Sequence, residues 1–145
     1  MNGAELPDWV ADLVSPLDDK LGLELLEVGP ERVVGRIPVQ GNTQVVGLLH
    51  GGASAALVET LGSVAALAHA REQGGIAVGI DLNITHHHAV RTGWVTGVAN
   101  ALQRGRQLVS YQVELTNDEG RRTASGRLTC LVRPTPGKGP GGAGS

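Results

Sequence analysis

One acid stands where the surrounding apolar pattern leaves little room for it. From Gly52 to His69 the chain reads Gly-Ala-Ser-Ala-Ala-Leu-Val-Glu-Thr-Leu-Gly-Ser-Val-Ala-Ala-Leu-Ala-His, and Glu59 is its single acid or base besides the terminal histidine. A helix apolar on nearly every face is a buried helix. A carboxylate on it must be desolvated, which is costly unless the group is paired, neutralised or used. No Lys or Arg lies within a turn of Glu59 to pair with it. His50-Gly51-Gly52 stands just before the helix, and glycines let backbone N–H groups approach a ligand closely. A helix N-terminus stabilises negative charge through its free N–H donors. An acid about two turns beyond such an end suits acyl transfer, in which an oxyanion must be held while a carbonyl is attacked. Two plainer readings stand beside this one: a structural acid with a buried hydrogen bond, and a glycine pair that only opens the helix.

The rest of the chain must position these groups. Glu5 to Val14 reads as a short amphipathic helix with Trp9, Val10, Leu13 and Val14 on one side, and Pro16 ends it or starts a new turn. Leu23 to Val28 and Val33 to Val39 read as two strands joined in a hairpin through Gly29-Pro30-Glu31. Gly41-Asn42-Thr43 opens a loop that reaches His50, and Gln73-Gly74-Gly75 stops the apolar helix. Strand patterning follows over Ile76 to His88, Trp94 to Leu102, Leu108 to Thr116 and Arg121 to Val132, with a polar hairpin turn at Asn117-Asp118-Glu119-Gly120. The order implies an α+β fold in which an antiparallel sheet of five or six strands, the later ones in a meander, wraps around one long helix. Residues 1–133 form one domain in this reading, and the Pro/Gly-rich residues 134–145 are expected to be a disordered tail.

Composition bounds the function. The chain has 145 residues and a net charge of −2, which offers no basic patch for nucleic acid. The longest apolar stretch is interrupted by Glu59, so no membrane span is expected, and the N-terminus lacks the pattern of a signal peptide. A single cysteine, Cys130, excludes an intrachain disulfide and fits a reducing cytoplasm; its apolar setting suits an inert buried thiol. Phe is absent, so the core is built from Val, Leu, Ile and Ala, which bury less area per residue. Together with open sheet edges this favours an oligomer.

Asn42-Thr43-Gln44-Val45-Val46-Gly47-Leu48-Leu49-His50-Gly51-Gly52-Ala53-Ser54, continuing through Glu59-Thr60-Leu61-Gly62-Ser63-Val64-Ala65, closely resembles the hotdog-fold acyl-CoA thioesterases. Within that PaaI-like superfamily it is most similar to the branch holding the Arthrobacter-type 4-hydroxybenzoyl-CoA and the 1,4-dihydroxy-2-naphthoyl-CoA thioesterases. The resemblance spans Leu21 to Val132, and its strength lies in Gln44 fifteen positions before Glu59 and Ser63 four after it. It implies Glu59 as nucleophile or general base, the Gly51 amide polarising the thioester carbonyl, and Gln44 near that carbonyl. It implies Ser63 placing water and His50 near the thioester or its sulfur. It further implies coenzyme A contacts from Gly79, from His86, His87, His88 and Ala89, and from Gln103, Arg104, Gly105 and Arg106. Two arginines flanking a glycine at a strand turn can grip phosphates bidentately. An aromatic acyl-CoA substrate follows from the branch. The fold of the family implies a site shared between subunits of a homo-oligomer, the hydrolysis needs no metal or redox cofactor, and closed symmetry favours a tetramer of two dimers.

Rival readings remain for several of these residues. Ser63 can serve packing alone, and Arg104 and Arg106 can be surface charges. The histidine run can solvate an edge, and as a metal site it offers too few ligands on one face. His69 and Arg71, in the last helical turn, suit the helix dipole without further function. A non-catalytic acyl-CoA-binding protein is one alternative, and an enoyl-CoA hydratase another. The second is disfavoured because Ser63, rather than a histidine, lies one turn beyond the acid.

Overall fold

The computed structural model describes residues 5–135. After a 3-10 turn (Asp8–Asp12) come α1 (Pro16–Leu21), β1 (Glu24–Val28), β2 (Arg32–Pro38), α2 (Gly51–Arg71), β3 (Gly75–His86), β4 (Trp94–Arg104), β5 (Leu108–Thr116) and β6 (Arg122–Pro134). All six strands form one antiparallel sheet in the order β1-β2-β4-β5-β6-β3. It curls around α2, the hotdog arrangement.

Three details differ from the sequence expectation. The N-terminal helix is only a 3-10 turn, because Pro7 caps its start and Pro16 already begins α1 at its first position. Leu13 and Val14 between them are exposed rather than packed on one face. The meander holds for β4, β5 and β6, but β3 does not adjoin β4: it crosses to the far edge and pairs with β6. Strand alternation reports which residues share a face, not which neighbour a strand takes. The tail expected from residue 134 onward meets order at its first two residues, since Pro134 ends β6 and the Thr135 hydroxyl donates to Gly74 O; residues 136–145 lie outside the described residues.

Glycine explains how a core without Phe seats a helix so closely. Gly35 on β2 pairs in register with Gly97 on β4, and together they form a socket for Leu61 of α2. A Cβ at Gly35 would lie 2.6 Å from Leu61 Cδ2, and one at Gly97 2.5 Å from Leu61 Cδ1. Gly62 makes the reciprocal approach to Leu128, at 2.7 Å. Close backbone approach thus supplies the dense contact that large side chains would otherwise provide. Tyr111, fully buried, donates to Pro30 O at 2.6 Å, and burial pushes its phenol pKa up. By length and composition α2 could cross a membrane, yet 56% of its most apolar window is buried within the sheet, as in a core helix.

The sheet ends at β1 and β3. The β3 edge spans twelve residues and is exposed on both faces over 78–83, with Val78, Ile80 and Leu82 among the exposed apolar side chains. A long apolar edge of this kind is a template for another strand.

Candidate active site

The implied residues fall into three groups along α2. At its head, His50 is the N-cap, and its Nδ1 accepts the Gly52 amide at 2.8 Å. An accepting Nδ1 places the ring proton on Nε2. The Gly51 N–H, first in the helix, has no acceptor among the described residues. It borders a cavity of about 310 Å³ lined by Gln44, Ser54, His86, Ala89 and Thr123, among others. His87 and His88 line it too. The β3 strand ends at His86, so the alternation expected through His88 stops there: the His87 and His88 amides both donate to Thr123 O. The His86 ring lies against Gly51, where a Cβ would be 3.1 Å from its Nε2. The loop between β2 and α2 is held by Gln44, whose Oε1 accepts from Val46 N at 2.7 Å and Leu48 N at 3.3 Å. That leaves the amide nitrogen of Gln44 as its free end. Asn42 fastens the same loop to Leu21 O and Pro38 O.

At mid-helix, Glu59 and Ser63 border a second, larger cavity of about 530 Å³, walled by aliphatic residues including Val10, Leu13, Leu25, Val64 and Leu67. The Glu59 carboxylate lies over Gly79, where a Cβ would be 3.1 Å from Oε1 and 3.4 Å from Oε2. Register slips beside this point, between Gly79 and Asp81, so a bulge sits where the strand meets the acid. Glu59 Oε2 is buried and has no hydrogen-bond partner. Leaving such an atom unmet costs about 1–3 kcal/mol, and more when it is charged. Gly79→Ala would push the carboxylate aside. We expect it to lower turnover at least about tenfold with little change in thermal midpoint, since a small displacement of a reacting group is costly; parallel kinetics and melting curves check this.

Cys130 faces the same acid. Burial chiefly, and then the Glu59 charge, push its thiol up to about 11, while a hydrogen bond with Ser63 pulls the other way. The folded protein therefore holds this proton more tightly than the unfolded chain. The stabilisation is complete below the ordinary thiol value of 9.0 and is lost as pH rises from there toward 11. Urea midpoints should fall more steeply between pH 9 and 11 for the wild type than for Cys130→Ala, and iodoacetamide at pH 8 should leave the native thiol unmodified.

At the foot of α2 lies the turn from β4 to β5. Gly105 closes it, its amide donating to Leu108 O at 2.8 Å, and a Cβ there would strike that same oxygen. The phosphate grip expected of Arg104 meets a different placement. Its guanidinium donates to His69 Nδ1 at 3.0 Å, to Glu72 at 2.8 Å and to Glu31, and the Glu31 bond holds it more firmly protonated. His69, expected to face the helix dipole, is buried, and its Nε2 bonds Gly105 O at 2.7 Å. Arg106 and Gln103 are exposed. Arg104→Ala should thus cost about 1–2 kcal/mol of stability by orphaning His69, visible as a lower denaturation midpoint.

Sequence reading missed two polar groups in these cavities. Asp18 borders the Glu59 cavity and accepts from the Thr60 hydroxyl at 2.7 Å. Thr123 borders the cavity at the head of α2. Neither carries a local signal, because each is placed by a distant element.

The hotdog sheet wrapped around α2 is a frame shared with solved thioesterases. The sequence profile of the Thioesterase superfamily matches residues 46–124, and the chain belongs to that superfamily. A Deinococcus radiodurans protein described as an esterase, with no substrate given, is 42% identical over 132 residues, 91% of this chain and 80% of that one. The proofreading thioesterase EntH of Cronobacter turicensis is 41% identical over 123 residues, 84% of this chain and 89% of its own. Among solved structures, a mutant thioesterase of Pseudomonas aeruginosa superposes with a TM-score of 0.81 at 33% identity, covering 88% of this chain and 95% of that one. A thioesterase of Haemophilus influenzae gives 0.77 at 34%, covering 81% and 82%.

Proposed function

We propose that this thioester hydrolase cleaves an acyl-CoA, with an aromatic acyl group in the aliphatic cavity beside Glu59, and that two copies build each site. The observation that carries the reading is Glu59 Oε2, buried and unmet at the border of a cavity large enough for an aromatic acyl group. In the reaction Glu59 either attacks the thioester carbonyl or takes a proton from the attacking water. The Gly51 N–H and the Gln44 amide nitrogen stabilise the charge that develops on the carbonyl oxygen. The carbon–sulfur bond breaks, the coenzyme leaves as its thiol, and water supplies the new acid oxygen. No metal or redox cofactor is required. His50 Nε2–H stands near the leaving sulfur. Ser63 places the water. His86 to Ala89 and Gly79 line the coenzyme path, and Gln103, Gly105 and Arg106 meet the nucleotide end.

Helix geometry supports a shared site. Gly51 and Glu59 are eight residues apart on α2, about 12 Å along its axis, and they border different cavities. A carbonyl held by the Gly51 amide and attacked through Glu59 needs the two groups close together, and pairing Glu59 of one copy with Gly51 of another brings them together. Pairing along the exposed β3 edge, and beyond that a tetramer of two dimers, fits this need. A cytoplasmic setting suits the lone reduced thiol.

A panel of aryl, arylacetyl and aliphatic acyl-CoA esters, followed by thiol release, tests the substrate. The highest kcat/KM is expected on an aryl-CoA. Preference for long aliphatic chains would overturn the aromatic assignment, and no thiol release from any of them would overturn the acyl-CoA reading. Arg106→Ala should raise KM for acyl-CoA several-fold and leave a short thioester lacking the nucleotide unaffected.

A further inference from the structure

We propose that Thr123 donates a hydrogen bond to a carbonyl oxygen of the bound thioester substrate in the cavity at the head of α2. This rests on the thioesterase reading above and adds a residue to it. Three observations converge. The first is a bulge. Leu115 pairs with Ala124 but Thr116 pairs with Arg122, so Thr123 is skipped in the ladder between β5 and β6. Along β6, buried and less buried positions alternate from Gly126 to Cys130, yet Thr123 and Ala124 are buried in succession. A bulge of this kind re-aims a side chain, and bulges concentrate beside active sites. The second is the result of that turn. Thr123 is only 3% exposed and its Oγ1 has no hydrogen-bond partner. Valine has the same shape and would fill the position without a buried polar atom to satisfy. The third is the company it keeps. Thr123 borders the same cavity as Gly51, whose amide is also free, and as Gln44, whose amide nitrogen is free.

The cavity therefore collects donors that no hydrogen bond among the described residues uses. A hydroxyl, a helix-start amide and a side-chain amide suit a carbonyl oxygen, the acceptor that a thioester and the amides of a pantetheine arm both present. The Thr123 carbonyl, meanwhile, accepts the amides of both His87 and His88. The backbone that turns the hydroxyl inward thus also anchors the histidine segment that lines the same cavity, and ligand binding there meets a fixed frame.

The test compares wild type, Thr123→Val and Thr123→Ser as full chains. Substrates are benzoyl-CoA and S-phenyl thiobenzoate, the second having a thioester carbonyl but no arm amides. Thr123→Val should lower kcat/KM on benzoyl-CoA by about tenfold or more, the scale of one hydrogen bond to a buried partner. Thr123→Ser, which keeps the hydroxyl, should stay within about threefold of wild type. The melting temperature of Thr123→Val should equal or exceed that of wild type, because an unmet hydroxyl is removed. A loss on both substrates identifies the thioester carbonyl as the acceptor; a loss on benzoyl-CoA alone identifies an arm amide. Unchanged kinetics in Thr123→Val, or equal losses in the Val and Ser variants, would overturn the proposal. A wild-type protein that releases no thiol from benzoyl-CoA, from S-phenyl thiobenzoate or from any ester of the acyl-CoA panel would overturn the underlying reading instead.

Discussion

Glu59→Gln is expected to lower kcat at least about 100-fold while leaving the fold intact, the usual scale for a positioned acid-base group. The substitution keeps shape and hydrogen-bonding capacity but removes the charge. Its carboxylate lies over Gly79 with one oxygen buried and unpartnered, so no structural pair is broken by the change. The protein should hold or gain stability, because a desolvated charge disappears. The apparent pKa of Cys130 should fall in the variant, because the Glu59 charge is the second cause of its elevation. Near-full activity in Glu59→Gln would make the acid structural.

The largest loss of stability among single substitutions is expected from Gly97→Val. The socket that Gly97 forms with Gly35 holds Leu61, which is fully buried, and a Cβ at Gly97 would also lie 2.8 Å from Leu115 Cδ2. Valine there adds two further methyl groups where even the first carbon does not fit. Leu61 sits two residues after Glu59 on α2, so it cannot retreat without moving the acid. Overpacking of this kind costs about 3 kcal/mol, a fall of about 10 °C in melting temperature for a chain this size. Gly29→Ala provides the internal comparison. The nearest atom to its Cβ would be Arg32 O at 3.7 Å, ordinary contact, and its melting temperature should match wild type within a degree or two. Similar melting for both variants would mean that helix and sheet are not held at this distance by their glycines.

The long helix was legible because its apolar run, its histidine-glycine entry and its glycine stop agree with one another. The last four strands were legible because their alternation is strong, and Leu108–Thr116 coincides residue for residue with the sequence expectation. The neighbour that β3 takes was not, since nothing in Ile76 to His88 names β6 as its partner. Bulges were hidden for the same reason: a skipped residue at Thr123 exists only relative to β5. The N-terminal segment misleads because four apolar residues at helical spacing stand between Pro7 and Pro16, which leave room only for a 3-10 turn. In the site, Glu59 and Gly51 stood out through conflict, an acid in an apolar helix and a glycine at its entry. Arg104 is the opposite case. Its sequence setting suggests a phosphate contact, while its bonds to Glu31, His69 and Glu72 come from distant elements that no local pattern names.

The claim that Glu59 and Gly51 act on one thioester from two copies is tested most directly by mixing two inactive variants. Glu59→Gln removes the acid. Gly51→Pro removes the free amide at a backbone position proline can adopt, the first residue of a helix preceded by an extended His50, and its ring displaces the His86 side chain on the same half of the site. Each variant alone should be nearly inactive on its best acyl-CoA. Co-expressed with distinct tags and purified through both, mixed dimers contain one site with both groups intact and one with neither. They should recover about half of wild-type activity per dimer, as closed two-fold symmetry with independent sites requires. Purified mixed dimers no more active than either parent would contradict the shared site.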